Sequence, residues 1–561
     1  GEWYSGEELP RWRLGCFMRA DGRPLWKNPE LLGWRRRRPM AIQADDVRLF
    51  AETLAGALRI SPGFVMAAHE DGLHQLWANR LGSGWIPSPD DLRDPERRRT
   101  VAACLSTRHG EPAGYVLPLR WDRVRQQWAS GRWSFRRDGL FLIPGKSPLG
   151  FRLPIESLPA GDIGPLEAEH ERCQTEERSL LPEHCGELSA RYSTLGPSDV
   201  VMPDADGPDA PDRPPRTALA LELRDGQLYV FIPPLTHLEH YLDLIGAVEA
   251  TARETGIAVM FEGYEPPDDH RLRRLVLEPE PGVLKVWLPD SLGWTVSAEL
   301  VATTYGEAER LGLRAERIIG EGRRVPPGGG AELILGGESP GDSPFLHRPE
   351  LLRALIVYWQ RHPSLSYLFA GRLVGPDGPA PRPDEGRDDA LYELALALDR
   401  IPSGEGVRPW VPDRLLRHLL ADPAGNMKRA EIRMDLLYAP DRPSMRLGKT
   451  VLRSFEAVPD ARSAGLQSLL VVTLLAALAR KPEVGPLINW GDALHDRFML
   501  PRLLWEDFRA ILADLAAAGY PLQDEWFRPI VDQRFPILGS TQLGDVTVEL
   551  RTAHEPWPLP A

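Results

Sequence analysis

The chain has 561 residues, 42% hydrophobic and 26% charged, with a formal net charge of −13 at pH 7. That length exceeds one typical core, so two lobes or one elaborated domain are expected, with disorder confined to segments. No region gathers the basic residues, which excludes nucleic acid as the main partner; Trp34-Arg35-Arg36-Arg37-Arg38 and Arg97-Arg98-Arg99 read as solvated faces or ion-pair networks.

Residues 1–158 carry their own apolar content and form an N-terminal lobe. Residues 159–216 turn acidic and then rich in Pro and Asp, with too few large apolar groups to bury, and read as a linker. From 217 to 561 strands and helices alternate. Segments 218–223 and 228–232 predict a hairpin around Asp225-Gly226, followed by a helix over 237–255 and a strand over 257–261. Further strands are expected at 275–277, 283–288, 429–435, 450–456 and 545–551, and helices at 350–360, 390–398, 463–480 and 505–518. The fold class is α+β, a mixed or antiparallel sheet covered by helices.

Cys16, Cys104, Cys173 and Cys185 are widely spaced and contain no CxxC pair, which predicts reduced thiols and a cytoplasmic setting. No leader follows Gly1, so no signal peptide is expected. The longest apolar run, 466–479, is shorter than the ~20 residues of a bilayer span and predicts a core helix, with no membrane partner.

The sharpest chemical signal is Arg429-Ala430-Glu431-Ile432-Arg433-Met434-Asp435. Period-two alternation puts two cations and two carboxylates on one face of a strand and Ala430, Ile432 and Met434 on the other. Thr547, Glu549 and Arg551 repeat the arrangement opposite Val546, Val548 and Leu550. Such a face either is solvated, with cross-strand ion pairs, or lines a cavity. Gly328-Gly329-Gly330 lacks the Lys-Ser/Thr of a P-loop and reads as a turn that could bring N–H groups near a phosphate. His237 and His240 share a helix face as a surface pair, and His495-Asp496-Arg497 reads as a polar cluster at a helix start.

Trp359, the run His362-Pro363-Ser364-Leu365-Ser366-Tyr367-Leu368-Phe369, Ala380-Pro381-Arg382, Asp384-Glu385, Arg387-Asp388-Asp389 and Leu391-Tyr392-Glu393-Leu394 resemble one bacterial family. It is the amidoligase family of the glutamine-synthetase-like (carboxylate–amine ligase) superfamily. The likeness extends over most of the chain, from Trp3-Tyr4 and Leu9-Pro10-Arg11-Trp12 to Glu262-Gly263-Tyr264, Gly425-Asn426, Trp490-Gly491 and Glu555-Pro556-Trp557. It implies a glutamine-synthetase-like core over 217–561. It also implies ATP-dependent joining of a peptide or small carboxylate to an amine, with ATP and Mg²⁺ as cofactors. Arg429, Glu431, Arg453 and Glu456 match positions expected to line the ligase site. Gly328, Gly329, Gly330 and Arg551 are the expected cofactor-binding residues, and Glu431, Glu456 and Glu549 the Mg²⁺ ligands of an active site. Long family members carry an N-terminal transglutaminase-like domain, so an intact ligase or a transglutaminase-like protein is the expected partner.

Departures from the family pattern fall on expected ligand positions. Lys285, Trp287 and Pro289 replace Glu, Asn and His; Arg324, Ala331 and Glu332 replace His, Asn and His. Lys428 and Asp460 stand for His, and Val451 for Glu. The resemblance therefore implies a family protein with a degenerate metal and ATP site, a non-catalytic or altered subunit or peptide-binding scaffold. The alternative is an active ligase using the retained carboxylates. An ion pair from Lys285 to Glu431 or Glu456 is expected in place of the metal.

Overall fold

The computed structural model describes residues 12–35, 42–71, 93–96, 98–99, 112–122, 126–135, 139–158, 173–182, 215–280, 282–319, 323–325, 330–371, 373–385, 389–404 and 407–556. Gly328, Gly329, Cys104, Cys185, Arg97, most of the 34–38 arginine run and most of the linker at 159–216 lie outside them. The fold is α+β, with helices at 40% and strands at 20%. Cys16 and Cys173 are free thiols.

Two cores organise the described residues. The first is built on a six-stranded mixed sheet. In spatial order its strands are Leu140–Phe141, Met66–His69, Gly114–Pro118, Ala218–Arg224, Gln227–Ile232 and Val259–Gly263. Asp225 (φ 50°) and Gly226 (φ 71°) both take left-handed backbone between Ala218–Arg224 and Gln227–Ile232, the geometry of a tight two-residue hairpin turn. Helices Ala44–Ala57 and Leu238–Thr255 lay Phe50, Leu54, Leu244 and Val248 against the sheet. Because Gly114–Pro118 pairs with Ala218–Arg224, the boundary expected at 217 cuts through a continuous sheet, and residues 218–263 belong with the N-terminal part.

The second core, between Phe345 and Phe535, packs helices Pro349–Arg361, Ser364–Tyr367, Ala461–Arg480 and Pro501–Ala517 on a three-stranded antiparallel sheet. Thr450–Glu456 is its central strand, flanked by Gly330–Leu335 and Ile432–Arg433. Trp359, Phe369, Phe455, Phe508 and Phe527 form its aromatic centre, with ring centroids 4.9–6.4 Å apart. Ala461–Arg480 has 20 residues, so the apolar run sits in a helix long and apolar enough by length and composition to cross a membrane. Its Leu470, Val471, Leu474 and Leu478 nevertheless fill this core, and Asp460 caps its start by accepting from the Ser463 N–H at 2.9 Å.

Two expected strands come out differently. Only Ile432–Arg433 is extended in the segment 429–435, with a 3₁₀ turn over Met427–Arg429 before it. Among the described residues Val546–Arg551 pairs only with Ile537–Leu543, in a two-stranded sheet of its own whose strands are exposed almost throughout.

Candidate functional site

The chemistry-bearing groups converge at one end of the three-stranded sheet, under the turn that follows helix Pro349–Arg361. Pro381 and Pro383 bracket Arg382; neither has an N–H to satisfy, so the loop can enter the core. Arg382, 2% exposed, is held by both oxygens of Asp384 at 2.8 Å, by the Gln360 carbonyl at 2.7 Å and by Ser366 Oγ at 2.8 Å. Its own N–H donates to Glu385 Oε2 at 2.9 Å. Glu385 Oε1 accepts from the Tyr367 hydroxyl and lies 3.4 Å from His495 Nε2, which raises the imidazole pKa.

Glu431 abuts this network. Its Oε1 accepts from Ser366 Oγ at 3.0 Å, while Oε2 has no hydrogen-bond partner. At 1% exposure, burial pushes the Glu431 carboxyl up to about 8, against the opposing pull of the Arg382 guanidinium and the Ser366 hydrogen bond. The alternation that assigned Glu431 to an open face was real as a pattern, but the facing layer is Ser366 and Arg382 rather than solvent or cavity.

Glu456 closes the central strand opposite Gly330. Among the described residues its carboxylate has no hydrogen bond or ion pair, and burial pushes it up to about 7, with Arg534 opposing. It lines a cleft with about 540 Å³ of empty space, mouth included, together with Gly330, Ser366, Tyr367, Gly371 and Arg453. Perturbed carboxyls beside a cleft are the usual mark of a functional site.

Arg453 and Arg433 meet at Glu332, at 3.2 and 3.4 Å; Arg433 also pairs with Asp435 at 2.8 Å. Lys285 lies 4.0 Å from Glu332, 3.8 Å from Glu280 and 4.2 Å from the Trp287 ring centroid. In place of the pairing expected with Glu431 or Glu456, Lys285 lies between Glu280 and Glu332. Glu431 is sealed beneath Ser366, out of a lysine's reach, and the glutamate that stands where the family has His is the accessible partner.

Five of the residues singled out from sequence sit at this sheet end: Gly330, Arg429, Glu431, Arg453 and Glu456. The Arg453 N–H donates to the Glu431 carbonyl at 2.9 Å, and Arg429 pairs with Asp422 at 3.1 Å. Arg551 and Glu549 do not join them. They pair with each other at 3.0 Å on the separate hairpin, where Arg551 also reaches Asp532 at 2.8 Å. Arg429 and Glu431 therefore share no face with Glu549 and Arg551, because strand Val546–Arg551 pairs with Ile537–Leu543 and not with the central sheet. Likewise Glu431, Glu456 and Glu549 do not form one ligand set for Mg²⁺, and among the described residues no group of three or more His, Cys, Asp or Glu is placed to hold a metal ion.

Ser366, Arg382, Asp384, Glu385 and Glu332 were not picked as site residues from sequence. The available signal was the dense run of charge and proline at 381–385 between two apolar helices, a composition that makes sense in a core only when every charge is matched. His237 and His240 stack on each other at 4.8 Å, and His240 on Trp121 at 4.3 Å.

The α+β chain thus carries burial-raised glutamates at the cleft end of an antiparallel sheet covered by helices. This chain belongs to the family described as putative amidoligase enzyme (DUF2126), whose model matches residues 1–559. No curated protein and no solved structure matches it.

Proposed function

We propose that this chain is an amidoligase-family protein with a substituted metal and nucleotide face, acting as a non-catalytic or altered subunit or as a peptide-binding scaffold. One observation carries the reading: the cations Arg429, Arg433, Arg453 and Lys285 at the sheet end are already held by carboxylates. Phosphoryl transfer from ATP calls for carboxylates free to hold Mg²⁺ and cations free to meet phosphate oxygens. Here Arg453, Arg433 and Lys285 surround Glu332, and Arg429 is paired with Asp422. The glutamine-synthetase-like ancestry of the core and an intact ligase or transglutaminase-like partner are part of the same proposal.

A second reading, an active ATP-dependent carboxylate–amine ligase, draws on Glu456, which lines the cleft beside Gly330 with no protein partner. Titrating the purified chain with ATP, with and without Mg²⁺, separates the two. The subunit reading expects weak binding in both conditions and no nucleotide turnover. Tight magnesium-dependent binding that disappears in Glu456→Gln would establish the ligase reading instead.

A further inference from the structure

The hairpin of Ile537–Leu543 and Val546–Arg551 belongs to neither core. A two-stranded hairpin alone is marginal in water and calls for further strands or a packed face. Among the described residues this one has no third strand, and Leu543, Val546, Val548 and Leu550, which share a face, are 46–65% exposed. Its two open edges differ. Along Ile537–Leu543 the register slips between Ile537 and Gly539, a bulge that turns an edge away from further pairing. Val546–Arg551 keeps its register throughout and carries no Pro or Lys to blunt it. At the turn before it, Asp545 has no hydrogen bond or ion pair among the described residues.

We infer that Val546–Arg551 pairs antiparallel with its counterpart in a second copy of this chain, about a two-fold axis at Val548, so that two hairpins make one four-stranded sheet. The order of residues along the strand selects both the partner and the register. Apolar faces coincide only when residues of like parity meet, which puts the axis on a single residue. With the axis at Thr547, Asp545 falls opposite Glu549; with the axis at Glu549, that carboxylate meets its own copy. Like charges directly opposite each other destabilise a pair of strands. With the axis at Val548, Val548 meets itself, Val546 meets Leu550, Thr547 meets Glu549 and Asp545 meets Arg551.

This register joins apolar to apolar and opposite to opposite charge, and symmetry repeats each match on the other side of the axis. The unpartnered aspartate gains a guanidinium. Arg551 adds it to Glu549 and Asp532, which lie 3.0 and 2.8 Å away. An unrelated strand would have to reproduce this order of charges and apolar groups, whereas a second copy carries it already. An edge of six residues buries less than the ~1,600 Å² of a standard interface, so the dimer is weak and reversible. The inference goes beyond the subunit reading and is independent of what the sheet end does.

Sedimentation velocity of the full chain over a wide concentration range is the test. The expected mass rises with concentration from 62.7 kDa toward twice that value. Asp545→Arg sets two pairs of like charges across the axis and should weaken association by about tenfold, while Asp545→Glu keeps the pairing and should associate as wild type does. Oxidative cross-linking reads the register separately. Val548→Cys should form a disulfide with its own copy beyond the wild-type background, and Thr541→Cys, on the outer strand and ~14 Å from its copy, should not. A single species of 62.7 kDa at every concentration, as expected if a strand of another protein is the true occupant, overturns the inference. So does a dimer indifferent to Asp545→Arg, or a Val548→Cys chain that cross-links no more than wild type. The concentration series uses the wild-type chain, so it stands even if a variant unfolds the hairpin.

Discussion

Replacing Glu431 with Gln should remove its part of the pH dependence of the second core's stability. The carboxyl is held near 8 in the folded chain and near its ordinary 4.5 when unfolded, so the folded state binds the extra proton throughout that window. Its contribution is fully present below about pH 4.5 and is lost as pH climbs through 8, a swing of roughly 5 kcal/mol. Gln removes the swing but places amide N–H groups beside the Arg382 guanidinium, where an unmatched buried donor costs roughly 1–3 kcal/mol. The variant should therefore be less stable than wild type by roughly 1–3 kcal/mol at pH 4 and more stable by roughly 2–4 kcal/mol at pH 9, with the curves crossing near pH 6. Urea unfolding followed by tryptophan fluorescence at half-unit pH steps measures both curves. Parallel profiles from pH 4 to pH 9 would refute the reasoning, since they would mean Glu431 titrates alike in both states.

Three further perturbations test other contacts of the second core. Tyr367→Ala empties a site 2% exposed and strips Glu385 of its hydroxyl donor, so urea unfolding should show a loss of roughly 3–5 kcal/mol; under 1 kcal/mol would place the ring outside the core. Glu332→Ala leaves Arg453 and Arg433 without their shared carboxylate and should cost roughly 1–3 kcal/mol, whereas Lys285→Met, at 4.0 Å and partly exposed, should cost under about 1; equal losses would contradict the hub. Asp460→Ala should destabilise helix Ala461–Arg480 by about 1 kcal/mol, while Asp460→Asn recovers most of that loss, and hydrogen exchange in the first turn reads both.

Local signals were legible and long-range ones were not. The Asp225-Gly226 turn, the helix after it and the strand at 450–456 follow from residues a few positions apart, and each forms where its pattern says. Alternation in 429–435 says which side chains share a face but is silent on what covers that face. Ser366 and Arg382, which bury Glu431, are far from it in the chain. The same limit explains Glu549 and Arg551, whose alternation is genuine on a hairpin exposed on both faces. Glu332 looked like a lost imidazole; only the meeting of three separate segments reveals that it collects Lys285, Arg433 and Arg453.

The first sheet also constrains how the chain can be made. Gly114–Pro118 is buried at every position and its partner on one side is Ala218–Arg224. At ~5–20 residues per second, roughly 5–20 s of translation separates the two strands, and for that interval an apolar strand with open backbone groups waits for its neighbour. Folding of the first core is thus tied to synthesis well past the acidic segment. Fragments ending near 158 should be recovered as aggregates, whereas those extending through 263 carry every strand of that sheet.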